Sequence, residues 1–244
     1  MDKPVDEIAR TLQQLTLPSL TRPSLGPDDP PTLALVQFDL VAYAYSSIAF
    51  VRDLLGGLLV LNAAGNVAAV DLVIRSLFEW TMQASYVDQQ NREPLNSQDF
   101  VACRTVMDRV QTGNGWVKRH GDKYWKSPFE DDIPESLRIK HLVKAYKAHQ
   151  IETRKAETVE DDYGYLSEHA HPNSFCFLDV TRRKGANLEF VRPTPGTRNQ
   201  GIVSATMLDW SLCIYNILQL AGETKIRTEF VSMLKRVVVL NQAG

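Results

Sequence analysis

A chain of 244 residues with 44% hydrophobic and 23% charged residues has the make-up of an ordinary globular protein, and length enough for one large core. Its net charge of −2 excludes a wholesale basic surface for nucleic acid and leaves room for a local patch. Three scattered cysteines with no C-x-x-C pair, and a charged N-terminus with no apolar leader core, lead to the expectation of a reducing, cytoplasmic setting and no membrane span.

In chain order, 5–17 places Val5, Ile8, Leu12 and Leu15 at helical spacing, and 18–31 carries five prolines. Residues 1–31 therefore read as a helix and a semi-rigid connector, expected to dock apart from the rest, with a partner subunit as one surface for it. The remainder, 32–244, reads as one all-α domain: a multi-helix bundle with a small β-hairpin. Stretches 32–61 and 66–90 are apolar around most of their circumference, as central bundle helices are, and their apolar surface suggests a homodimer. Gly56-Gly57 is a candidate kink or end of the first.

Residues 96–111 read as a shorter helix with Phe100, Val101, Val106 and Val110 inward. The stretch 116–134 mixes Trp116, Tyr124 and Trp125 with Lys118, Arg119, Lys123 and Lys126; it reads either as a base-stacking groove or as a loop pinned to the core by its aromatics. A charged amphipathic helix covers 135–157, with His141 and His149 on solvated or partly packed faces. Residues 175–180 and 188–191 read as a hairpin turning at 184–187. Arg182, Arg183, Lys184 and Arg192 make this the most basic part of the chain, a candidate phosphate contact or an ordinary solvated tip. Closing helices are expected over 200–220 and 223–240, separated at Gly222.

The densest chemistry lies in 163–172, where Tyr163, Tyr165, Ser167, Glu168, His169 and His171 precede Pro172. On a helix, Tyr163, Ser167 and His171 share one face at four-residue steps, and the proline ends the helix near His171. A histidine at a helix C-terminus sits by the negative end of the dipole, so His171 suits acid–base work or, equally, simple capping. His169 and His171 are the right types for a metal, but two residues apart on a helix they point to opposite faces, so neither a metal nor a cofactor is expected. A Ser167–His171 nucleophile pair has the spacing but no elbow, oxyanion hole or orienting acid. On the second long helix, Asp71, Arg75 and Glu79 form a charged stripe flanked by Ile74, Leu77, Phe78 and Trp80. Such a stripe is a solvated ladder, or it is paired inside or lines a groove.

The R-S-L-F-E run 75–79, followed by Tyr163-x-x-Leu166-Ser167-x-x-x-His171-Pro172, resembles the motif pair of a bacterial all-α family similar to HEPN-type bundles. Members of that group include metal-independent ribonucleases and nucleotide-binding modules of toxin–antitoxin and anti-phage systems. The resemblance implies action on RNA or a nucleotide, an antitoxin or defence-system partner, and a site in which His171 is the acid–base group. Arg75 would be the phosphate clamp, oriented with Glu79, Tyr163 and Ser167. One departure bears on mechanism: HEPN ribonucleases place an arginine four to six residues before a histidine, and no histidine here has one. The rival reading is a non-catalytic helical interaction module whose polar residues form a structural network. A metal-dependent hydrolase is the third.

Overall fold

The computed structural model describes residues 3–24, 29–112, 137–153, 158–170, 181–184, 187–190 and 197–242. Among these, eight helices are present: α1 (Lys3–Gln14), α2 (Leu33–Ala63), α3 (Val67–Asn96), α4 (Phe100–Thr112), α5 (Ile139–Thr153), α6 (Val159–Ala170), α7 (Thr197–Leu220) and α8 (Lys225–Gln242). Two four-residue strands, β1 (Thr181–Lys184) and β2 (Asn187–Phe190), pair antiparallel with Arg182 opposite Glu189 and Lys184 opposite Asn187. The stretch 175–180, expected as the first strand, lies outside the described residues, and Lys184 falls within β1 rather than in the turn.

The architecture is a bundle built around α3, which packs against α2, α4, α5, α6 and, most extensively, α7. Burial of Leu40, Ile48, Leu77, Met82, Trp210 and Phe230, all fully enclosed, unites α2, α3, α7 and α8 in one core. At roughly 25 cal/mol per Å² of apolar surface, side chains of this size each contribute on the order of 2 kcal/mol. The Trp210 indole donates to Ser47 Oγ at 2.9 Å, so its one polar atom is matched inside that core. Both α2 and α7 are long and apolar enough to cross a bilayer, a test that core helices also pass.

Gly56-Gly57 does not end α2, which runs on to Ala63. A Cβ at either glycine would meet nothing within 4 Å, so no close approach calls for glycine there, and burial of Leu55 and Leu58 carries the helix through. The actual end is a left-handed cap: Gly65 has φ 64°, its amide donates to Asn62 O, and the Asn66 amide donates to Leu61 O. Asn66 then caps α3 through Oδ1, which accepts from the Ala69 amide at 3.3 Å. Gly222 (φ 71°) ends α7 with the same paired bonds. The third such end follows α3, but there the left-handed position holds Gln98 at φ 58°.

α1 lies on α8, α2 and α7 of its own chain rather than apart from them. Its buried Glu7 accepts from Arg10, from Thr11 and, on α8, from Arg236. On α4, Phe100, Val106 and Val110 are partly buried and pack against the core as expected, but Val101 is 61% exposed, and the fully buried positions are Cys103 and Met107. Arg104 joins α4 to α2, donating to Asp39 at 2.6 Å and pairing with Asp108 at 2.8 Å. Burial raises the carboxyl groups of both Asp39 and Asp108, and the shared Arg104 only partly opposes it. An acid raised in the folded state contributes stability that is fully present below its unfolded pKa and is lost as pH rises through the folded value.

Two outcomes follow for stability. Gln98→Gly removes the Cβ cost of the left-handed conformation and is expected to stabilise the fold by about 0.5–1 kcal/mol, read as a rise of about 1–4 °C in melting temperature. Between about pH 7 and about pH 4.5, the stability of the wild type relative to Asp39→Asn, followed as a urea midpoint, should increase as the solution is acidified; a gap that does not change with pH would contradict the raised carboxyl.

Candidate functional site

α3 and α6 pack face to face, and this brings together three residues from the two motifs. Arg75 Nε donates to Glu79 Oε1 at 3.0 Å, one turn along α3. Arg75 Nη2 reaches the Tyr163 hydroxyl on α6 at 3.5 Å, with the guanidinium carbon 5.8 Å from the centre of the tyrosine ring. Phe78 packs beside the same ring and meets Tyr146 of α5 edge-on, holding Tyr163 against α3. The Arg75 side chain is 23% exposed. Partial burial works against its charge, but the Glu79 carboxylate and the Tyr163 hydroxyl more than offset that, holding it above its ordinary range. This cation is both fixed and reachable.

Leu166 is fully buried and anchors α6. Ser167, one turn beyond Tyr163, has a buried hydroxyl with no hydrogen-bond partner among the described residues. His171 and Arg192 lie outside the described residues, as does the side chain of His169. Arg182, Arg183 and Lys184 lie in β1, away in sequence from the Arg75 centre. Asp71, the other carboxylate of the expected stripe, is buried and accepts from Asn199 Nδ2 of α7 at 2.6 Å. The stripe thus splits: one end is tied into the core and the other opens outward through Arg75 and Glu79.

Glu79 also lines a groove of about 690 Å³ bounded by α2, α3, α4 and α5, together with Tyr43, Ser46, Phe50, Ser76 and Trp80. Phe50 is 45% exposed, and its ring lies 4.9 Å from that of Trp80. The aromatic pair offers a stacking surface, and Glu79, which lines the same groove, is the residue that pairs with Arg75. Phe50 and Trp80 had no local motif to mark them; only the packing of α2 on α3 makes them a pair.

His149 is buried and stacked on Tyr146, not on a solvated face, and it lies 3.9 Å from Cys213 Sγ. His141 does accept locally, from the Arg138 amide at 3.3 Å. Cys103 and Cys213 are free and buried. Burial, with Asp99 adding to it, raises the Cys103 thiol; burial, with Asp88 and Asp209 adding to it, pushes the Cys213 thiol well above its usual range. Neither has the thiolate character of a nucleophile. In comparisons with known proteins, no family model, curated protein or solved structure matches this chain.

A thiol reagent applied to the native protein near neutral pH should leave Cys103 and Cys213 unlabelled, and both should react once the protein is denatured. Peptide mapping by mass spectrometry reads the result; rapid native labelling of Cys213 would show the core open at that point.

Proposed function

We propose that this chain is a HEPN-like helical protein that acts on RNA or a nucleotide, with Arg75 as the phosphate clamp. The observation that carries the reading is the Arg75 guanidinium, held between Glu79 and Tyr163 where α3 meets α6 and still partly open to solvent. A planar cation fixed in this way suits bidentate recognition of a phosphate. The neighbouring groove supports the same ligand class, since the Phe50–Trp80 pair presents apolar ring surface to a base while Ser46, Ser76 and Glu79 supply polar groups.

Catalysis in this reading is metal-independent cleavage of RNA. The ribose 2′-hydroxyl loses its proton to a base and attacks the adjacent phosphorus. The new bond closes a cyclic phosphate, the bond to the 5′-oxygen breaks, and that oxygen takes up a proton. Arg75 would stabilise the charge that builds on the phosphoryl oxygens. Ser167 supplies a hydroxyl on the Tyr163 face, and His171, the residue after α6, is the acid–base candidate. Toxin or anti-phage defence is the setting the resemblance suggests.

Arg75→Ala is expected to weaken binding of a fluorescent single-stranded RNA roughly 10–100-fold by anisotropy, and to lower the salt dependence by about one phosphate contact. Cleavage in the presence of a chelator, giving cyclic phosphate ends, should be lost in both Arg75→Ala and His171→Ala while melting temperatures hold. Unchanged binding and no cleavage by the wild type, together with a lowered melting temperature for Arg75→Ala, would return the rival reading: a non-catalytic interaction module in which Arg75, Glu79 and Tyr163 serve only to join α3 to α6.

A further inference from the structure

α3, α5 and α7 meet at a point where the proposed reaction uses no residue. Asp88 from α3, His149 from α5 and Cys213 from α7 are 0%, 4% and 0% exposed. One ligand atom of each lies within 4.8 Å of the other two. We propose that these three side chains hold one divalent transition-metal ion, with zinc the ion their donors fit best.

The donor set is the first reason. A thiolate, an imidazole and a carboxylate match the borderline softness of zinc and do not suit calcium or magnesium, which take oxygen ligands. Distance is the second. Around a tetrahedral ion with bonds of about 2.0–2.3 Å, neighbouring donor atoms stand about 3.3–3.7 Å apart. His149 Nε2 and Cys213 Sγ are already 3.9 Å apart, and small side-chain rotations close the rest.

Orientation is the third. Asp88 accepts from Arg92 Nε at 3.0 Å, from Arg92 Nη2 at 2.8 Å and from Asn216 Nδ2 at 3.0 Å. Those bonds use three of the roughly four acceptor positions of a carboxylate, so one is left for an ion. They also fix the group as an outer shell fixes a ligand. The His149 ring is stacked at 16° on Tyr146, whose hydroxyl donates to Asp209 at 2.6 Å. Charge is the fourth. A divalent ion with the Asp88 carboxylate and the Cys213 thiolate sums to zero, and Arg92 and Asp209 offset each other beside it. Three protein donors leave a fourth position for water.

Asp88 lies thirteen residues beyond Arg75 on α3, about 20 Å along the helix, so this ion would be structural and separate from any reaction at Arg75. Its role would be to join three helices whose ligands come from far apart in the chain.

The test uses the full chain, stripped with a chelator and titrated with cobalt(II). The expected result is uptake of one equivalent with a thiolate-to-cobalt charge-transfer band and the intense visible bands of a tetrahedral site, both abolished by added zinc. Zinc at about a hundredfold excess over its Kd should raise the melting temperature by roughly 5–10 °C. Cys213→Ser should lose the charge-transfer band, and Cys103→Ser and Cys176→Ser should keep it. A wild-type titration with no thiolate band and no melting shift overturns the proposal even if the Cys213 variant misfolds, and so does a band that survives in Cys213→Ser.

Discussion

α3 is enclosed by five other helices, and this one constraint governs most of the polar chemistry of the protein. An enclosed helix of 30 residues that is not wholly apolar must match its polar side chains from within. Asp71 takes Asn199, Thr81 takes the carbonyl of Thr206, and Asp88 takes Arg92 and Asn216. Each partner but Arg92 comes from α7, the most extensive neighbour of α3. Arg75 and Glu79 are the exception, because at that height α6 and the edge of a groove stand beside α3 and part of the guanidinium stays wet.

That exception separates a structural network from a candidate site. A buried ion pair with every lone pair used is neutral at best for stability, and it offers nothing to a ligand. Arg75 instead keeps one side toward solvent while a carboxylate, a phenol ring and neighbouring hydrophobic side chains limit its rotamers. Such preorganisation lowers the entropy cost of gripping an anion. The Phe50–Trp80 pair adds apolar surface that the core does not cover.

Much of this was legible in the sequence, and the part that was not has a physical reason. Arg75, Glu79 and Tyr163 could be singled out because each sits on a helical stripe flanked by apolar residues, which announces a polar group at a packed seam. Gly222 announced its break because α7 ends there in a conformation that favours glycine. Gly56-Gly57 misled because helix propensity is weak beside burial, and the flanking leucines are held on both sides. His149 reads from sequence as lying on a solvated or partly packed face because its helix looks amphipathic and charged, while the Tyr146 and Cys213 contacts that enclose it arise only on folding. Gln98 gave no signal at all: a left-handed cap without glycine or asparagine has no local signature. The cluster of Asp88, His149 and Cys213 is invisible for a similar reason, since its spacings of 61 and 64 residues match no motif.

The pairing of α3 with α7 has a cost in time. Asp71, Thr81 and Asp88 bond to residues 128, 125 and 128 positions further on. At about 5–20 residues per second of synthesis, those partners are made roughly 6–25 s after the α3 residues they meet. For that interval α3 is present in the nascent chain without its α7 partners, unable to complete its packing; Thr81 and Asp88 have only Leu77 and Arg92 of their own helix, and Asp71 awaits Asn199. Contacts of such long range slow folding and lengthen exposure to aggregation, so this protein is one whose yield should depend on chaperones that bind nascent chains until the C-terminal helices arrive.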